Sequence, residues 1–93
     1  MVAYPNVVQY KSSKTLPTSE DIQDWIVDYL ADLLEVSPEE VDPAISFDRY
    51  GLDSSAAIGL TGDLEDWLGQ EVEPTLLYDY PTVAALAQYL SSE

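Results

Sequence analysis

Five consecutive residues, Gly51 to Ser55, have types and an order that could support chemistry. Asp53 is suited to cap a helix because its carboxylate accepts hydrogen bonds from the free backbone N–H groups of the first turn. Ser54 would then lie on that turn, facing solvent at the positive end of the helix dipole, where a phosphate is bound favourably. We therefore predict that Ser54 suits attachment of a phosphodiester and is a poor unaided nucleophile. The alternative is that Asp53 only caps a helix and Ser54 is an ordinary first-turn residue.

The composition excludes several kinds of catalytic site. The 93 residues include no Cys and no His, which removes thiolate nucleophiles, thiolate metal sites and the usual general base. Nearly all carboxylates fall on predicted polar helix faces, so paired carboxyls with shifted pKa values are not expected. No window starting at Asp42, Asp48 or Asp53 fits a calcium-binding EF-hand loop. We expect no catalytic residue, no metal site and no enzymatic activity.

Charge is unevenly distributed along the chain. All 18 acidic residues lie at or after Glu20, where Arg49 is the only basic residue, so this part carries a net charge of −17. Such a charge disfavours nucleic acid and anionic membranes and favours basic protein surfaces, although it could serve solubility alone. The start of the chain lacks the layout of a secretion signal, and no apolar run is long enough to span a membrane. We expect a cytoplasmic protein.

The chain divides into a leader and one helical domain. Residues 1–17 show no sustained hydrophobic period and are predicted to form a flexible leader. A short strand at Val7–Tyr10 is conceivable, although no pairing partner for it is evident. The domain covers residues 18–93. The first helix should begin at Thr18 or Ser19, with Asp21 completing a capping box, and end near Glu35. Its apolar residues recur with helical spacing: Ile22, Trp25, Ile26, Tyr29, Leu30, Leu33 and Leu34.

A long connection, residues 36–53, separates the first two helices. Ser37 to Glu40 is typical of a single helical turn, and the apolar residues that follow should pack the rest of the connection down. The second helix should run from about Ser54 to Leu68, with Gly69 as its stop. One face of it is predicted to be buried: Ala57, Leu60, Leu64, Trp67 and Leu68. The opposite face carries Ser55, Gly59, Gly62 and Asp66, flanked by Ile58 and Glu65.

Two further elements complete the predicted fold. Residues 75–80 could form a short turn between two prolines, and a last helix should start at Pro81-Thr82. Its buried face would hold Val83, Leu86, Ala87 and Leu90. Three main helices, a short one and a long first crossover predict an all-α four-helix bundle.

The motif around Ser54 and the segments after it together resemble the acyl carrier proteins. Carrier domains of modular polyketide synthases read roughly G-x-D-S-L, then a helix ending in L-E, a Gly, a P-x-T-L-x-F/Y-D-x-P-T run and a closing L-A-x-x-L helix. This chain has GLDS at 51–54, LE at 64–65, Gly69, PTLLYDYPT at 74–82 and LAQYL at 86–90. The resemblance covers about residues 19–91.

The resemblance implies a role in which the chain carries acyl groups. Ser54, next to the cap residue Asp53, would receive 4′-phosphopantetheine from coenzyme A through a separate, Mg-dependent phosphopantetheinyl transferase. Acyl intermediates would then be held as thioesters on the arm, in polyketide or specialised fatty-acid biosynthesis. The implied partners are that transferase, an acyl-loading ligase or acyltransferase, and a ketosynthase or other synthase enzymes. The carrier itself would be a monomer.

Two residues depart from the family pattern. Ser55 stands where the family usually has an apolar residue, and Gly59 stands where it usually has glutamate. The small residues Ser55, Gly59 and Gly62 could let a neighbouring segment pack closely. We favour the other interpretation, a flat docking face for partner proteins formed by Ser55, Ile58, Gly59, Gly62, Asp63, Glu65 and Asp66.

Two alternative functions stay open. Peptidyl carriers usually have a second glycine where this chain has Leu52, so a peptidyl carrier is the less favoured interpretation. The second alternative is a docking module that has the carrier fold but is never modified. Ser55, which departs from the family pattern, is the residue that favours this alternative. The initiating Met and the leader favour a free-standing carrier, although a domain excised from a larger chain could look the same.

Overall fold

The computed structural model describes residues 17–91, which form a bundle of four α-helices and two 3₁₀ turns. The helices are α1 (Ser19–Leu34), α2 (Ser54–Leu68), α3 (Leu76–Asp79) and α4 (Val83–Leu90). The 3₁₀ turns, Pro38–Glu40 and Phe47–Tyr50, both lie in the connection between α1 and α2. These described residues contain no strand, only an isolated antiparallel bridge between Ser46 and Thr82. The predicted all-α bundle is confirmed.

The ends of the helices follow the predicted capping signals. Thr18 and Asp21 form the capping box of α1, with Asp21 N donating to Thr18 Oγ1 at 3.1 Å and Thr18 N donating to Asp21 Oδ2 at 3.2 Å. Gly69 ends α2 with a φ of 74°, a left-handed conformation that glycine adopts without strain. Thr82 caps α4 by accepting from Ala85 N.

The core is built from one face of each long helix. It includes Ile22, Ile26 and Leu30 of α1, Leu60 and Leu64 of α2, and Val83, Leu86 and Ala87 of α4, all completely buried. Phe47 and Val72 from the connecting segments complete the interior. A helix that keeps its apolar residues at intervals of three and four presents them on one face, which explains why the periodicity predicted most of this core.

Two predictions about individual positions are wrong. Trp67 was expected in the core, but 42 % of it is exposed, and its indole stacks on Trp25 at the surface of the bundle. Leu33 was placed on the apolar stripe of α1, but 46 % of it is exposed at the end of that helix. The prediction that the connection packs down is confirmed, since residues 47–50 form a 3₁₀ turn around the buried Phe47.

Part of the predicted domain organisation is not described by the structure. The leader, apart from Pro17, and the strand suggested at Val7–Tyr10 lie outside the described residues. Within residues 17–91, no helix is long and apolar enough to cross a membrane.

Candidate functional site

Ser54 is the first residue of α2, and its side chain is exposed. The preceding residue, Asp53, has extended backbone and accepts a hydrogen bond from Ala56 N at its Oδ1, at 2.9 Å. The Asp53 carbonyl accepts from Ala57 N at 2.9 Å, which begins the helical ladder. Because the cap binds the third N–H of the helix, the N–H groups of Ser54 and Ser55 stay available at the positive end of the helix dipole. An anionic group on Ser54 Oγ would be stabilised there.

The turn before Ser54 is fixed by backbone hydrogen bonds. Gly51 has a φ of 77°, and its N–H donates to Asp48 O at 3.0 Å. A side chain at this left-handed position would be strained, so the glycine of the motif serves the turn that leads into α2. Leu52 N donates to Phe47 O at 3.4 Å and Leu52 is half-buried, so the residue between turn and cap is held against the core.

The connection is also tied to the far side of the bundle. Phe47 N donates to Pro81 O at 2.8 Å, and Ser46 forms an antiparallel bridge with Thr82. Ala84 N donates to Pro43 O at 3.1 Å, at the start of α4. These bonds explain why the long connection does not act as a loose loop: it is anchored to the α3–α4 junction on one side and leads into Ser54 on the other.

A groove of about 390 Å³ opens beside Ser54. The start of α2 and the residues just before it contribute Leu52, Asp53, Ser54 and Ala57 to its lining, and the α3 region contributes a wall of Pro74, Leu77, Tyr78 and Pro81. Tyr78 is 80 % exposed, so this wall is open to solvent. The groove mixes apolar side chains with a few polar groups, as small-molecule sites generally do. The sequence did not predict it because it forms only where the connection, α2 and α3 meet.

The face of α2 predicted for docking divides into two parts. Ser55, Gly62, Asp63 and Asp66 are exposed, and Ile58 is 60 % exposed despite being apolar. Gly59 and Glu65 are half-buried. A Cβ on Gly62 would meet nothing within 4 Å, so packing gives no reason for that glycine. A Cβ on Gly59 would lie 3.4 Å from Tyr29 Oη of α1. At this one position the close-packing alternative describes the geometry better than the docking interpretation.

Tyr29 joins α1 to α2 through Asp63. Its hydroxyl lies beside the Asp63 carboxylate. Burial raises the pKa of the Tyr29 phenol above its ordinary 10.0, and the neighbouring Asp63 carboxylate raises it further. Tyr29 is therefore protonated at neutral pH and acts as a neutral hydrogen-bond donor, not as an acid or base.

No group of three or more His, Cys, Asp or Glu residues within 17–91 is arranged to hold a metal ion.

The chain is similar to known carrier proteins in sequence and in structure. It is 37 % identical over 76 residues to acyl carrier protein TtuC of Teredinibacter turnerae, covering 82 % of this chain and 87 % of that one. A free-standing peptidyl carrier protein from Acinetobacter baumannii superposes with a TM-score of 0.74, at 46 % identity, covering 78 % of this chain and 91 % of its own.

A second solved structure is that of Asl1650, an acyl carrier protein from Anabaena sp. PCC 7120 with a variant phosphopantetheinylation-site sequence. It superposes with a TM-score of 0.76 at 46 % identity, and the match covers 85 % of this chain and 91 % of that one. Other matched relatives are polyketide synthases, and this chain spans 4 % or less of their length.

The family model for the phosphopantetheine attachment site matches residues 24–90, which include the capped N-terminus of α2, the groove beside it and all of α3 and α4. The chain therefore belongs to the phosphopantetheine-binding carrier proteins, and its cofactor is covalently attached 4′-phosphopantetheine.

Proposed function

We propose that Ser54 is the residue that bears 4′-phosphopantetheine, and that Asp53 positions it. The observation that carries this proposal is the exposed Ser54 hydroxyl at the first position of a capped 15-residue helix. The free N–H groups of Ser54 and Ser55 suit the resulting phosphodiester. Ser55 is exposed as well, but it lies one position further into the helix and does not follow the cap directly.

The attachment reaction needs no catalytic group from this chain. A bond forms between Ser54 Oγ and the phosphorus of the phosphopantetheinyl group while the pyrophosphate bond of coenzyme A breaks and adenosine 3′,5′-bisphosphate leaves. The serine proton passes to a base of the transferase, since the carrier contains no His. Once attached, 4′-phosphopantetheine supplies the thiol on which acyl groups are carried as thioesters. The groove between α2 and α3 offers apolar walls against which the attached arm can rest.

The acyl groups of polyketide or specialised fatty-acid biosynthesis are the cargo that we favour. The acyl carrier relative and the polyketide synthase relatives support this class. Leu52, where peptidyl carriers usually have glycine, supports it too. A second candidate is a peptidyl carrier, and the 46 % identity to the Acinetobacter baumannii protein favours it.

The partner enzymes would recognise the exposed part of α2 beside the arm. Ser55, Ile58, Gly62 and Asp66 form this docking face, which combines small residues, one apolar side chain and negative charge. A phosphopantetheinyl transferase, an acyl-loading enzyme and a ketosynthase all need access to Ser54, so they would use this face in turn. Opposite charge on each partner would raise the rate of encounter.

Intact mass spectrometry tests the proposal. The chain is incubated with coenzyme A, Mg²⁺ and a broad-specificity phosphopantetheinyl transferase, and we expect a single phosphopantetheinyl addition. The modified protein is then offered to a malonyl-transferring acyltransferase and, separately, to an amino-acid-activating enzyme. Loading by the first enzyme alone supports the acyl carrier. Loading by the second alone would favour the peptidyl carrier, and an unchanged mass in the first step would favour an unmodified docking module.

A further inference from the structure

Three aromatic rings form a stack across the outer seam between α1 and α2. The Trp25 and Trp67 rings lie 5.4 Å apart and 16° from parallel, and the Trp25 and Tyr29 rings lie 5.4 Å apart and 22° from parallel. The two tryptophans are the only ones in the chain. We call Trp25, Tyr29 and Trp67 the ring stack.

The three side chains of the ring stack are only partly buried. Trp25 and Tyr29 are half-buried, and Trp67 is 42 % exposed. Trp67 therefore keeps part of its surface open to solvent although its ring stacks on that of Trp25. A large aromatic side chain held rigid by a neighbour and left open to solvent is typical of the residues that dominate the energy of protein interfaces.

Carboxylates border the ring stack on both helices. Asp63 precedes Trp67 by one helical turn and lies beside the Tyr29 hydroxyl, and Asp66 is the exposed residue directly before Trp67. On α1, Asp28 and Asp32 are exposed and follow Trp25 and Tyr29 by three residues each. The rings are therefore surrounded by negative charge.

This surface lies away from the end of α2 that holds Ser54. Trp25 contacts Trp67, while Tyr29, one turn further along α1, contacts Asp63, one turn earlier on α2, so the two helices run antiparallel here. Trp67 follows Ser54 by 13 residues, which places it about 20 Å further along the helix at a rise of about 1.5 Å per residue. A protein bound at the ring stack would leave Ser54 accessible.

We propose that the ring stack, with Asp63 of α2 and Asp28 and Asp32 of α1, is a second docking surface, for a partner protein that presents arginine side chains. A guanidinium group is planar, stacks on an indole face and pairs with carboxylates through two parallel hydrogen bonds. The open indole and the bordering carboxylates complement both properties. A lysine has the same charge but not the planar group, so it fits this surface less well. The proposal does not depend on which serine is modified.

The test uses two synthetic helical peptides of equal length and charge, one with arginines and one with lysines at positions i and i+4. Each is titrated into the ¹⁵N-labelled chain at low ionic strength, and the two indole N–H signals are followed by NMR. We expect the arginine peptide to shift both signals saturably and to bind at least roughly threefold tighter than the lysine peptide.

Two variants make the test specific. Trp67→Leu keeps an apolar side chain but removes the open ring, so it should abolish the preference for arginine while the far-ultraviolet circular dichroism stays that of a helical bundle. Tyr78→Leu alters the exposed aromatic residue beside Ser54 instead and should leave the preference unchanged. Equal affinity for both peptides, no saturable binding, or an arginine preference that survives Trp67→Leu would overturn the proposal.

Discussion

Helices α1 and α2 are almost equal in length, at 16 and 15 residues, but they distribute their apolar side chains differently. On α1, Ile22, Ile26 and Leu30 follow one another at four-residue intervals and are completely buried. On α2, Leu60 and Leu64 are buried in the same way, while Ile58 and Trp67 are left substantially exposed. The first helix leaves one large apolar residue exposed, Leu33 at its C-terminal end, whereas the second leaves two, Ile58 and Trp67.

The difference extends to the polar and small residues of the two helices. Helix α1 carries its exposed carboxylates as a solvated stripe opposite the core, an ordinary amphipathic arrangement. Helix α2 instead has two interior glycines, at 59 and 62, although glycine destabilises a helix interior by roughly 0.5–1 kcal/mol relative to alanine. Only Gly59 has a neighbour that would contact a Cβ. Packing gives no reason for Gly62, and we relate this glycine to the partner binding proposed beside Ser54.

The largest loss of stability is expected where a buried apolar residue of α2 is removed, compared with an exposed one. Leu64→Ala should lower the free energy of unfolding by about 2–5 kcal/mol, because it empties a completely buried site. Ile58→Ala removes a similar side chain from the same helix where 60 % of it is exposed, and should change stability by less than about 1 kcal/mol. Urea denaturation followed by circular dichroism measures both. Equal losses would show that the faces of α2 are misassigned.

Trp67 should give an intermediate effect. Trp67→Ala removes the stack on Trp25 but opens no enclosed cavity, so we expect a loss of about 2 kcal/mol, below the 3–5 kcal/mol typical of a buried aromatic. Thermal unfolding gives the value, and the fluorescence of the remaining Trp25 reports whether the helices stay packed. A loss of stability as large as that of Leu64→Ala would show that Trp67 is a core residue after all.

The smallest effect on stability is expected from charge reversal on the outer side of α2. Replacing Glu65 and Asp66 together by Lys should change the free energy of unfolding by only a few tenths of a kcal/mol, since the pair makes surface interactions. Modification by the transferase should nevertheless become slower, because the encounter with a basic partner loses its electrostatic steering. Added salt should narrow the difference. Equal rates of modification at low salt would indicate that the transferase recognises the connection before Ser54 instead of this side of α2.

Much of this structure could be predicted from the residues alone. The bounds of α2 follow from Asp53 and Gly69, and the start of α1 follows from the Thr18–Asp21 box, since capping depends on local chemistry. Ser54 could be selected by the same argument, because a serine directly after a cap residue must lie on the first turn. Capping residues are enough to predict those features that depend on residues within a single helical turn.

The errors arise where another helix decides the environment. Trp67 lies at the margin of the apolar face of α2, and whether it is buried depends on how far α1 covers that margin. Periodicity shows which way a side chain points from its helix, but it does not show how much of that side chain the neighbouring helix covers. The approach of Tyr29 to Gly59, the position of Asp63 beside the Tyr29 hydroxyl and the groove beside Ser54 are tertiary features of the same kind.

The comparison of Ser54 with its neighbour Ser55 tests the central claim most directly. Both hydroxyls are exposed on the first turn of α2, and only Ser54 follows the cap residue. Ser54→Ala and Ser55→Ala are each incubated with coenzyme A and the transferase, and their intact masses are recorded, with circular dichroism as the control for folding. We predict that Ser55→Ala gains one phosphopantetheinyl group as the parent does, and that Ser54→Ala gains none. Modification of Ser54→Ala, or loss of modification in Ser55→Ala alone, would contradict the assignment.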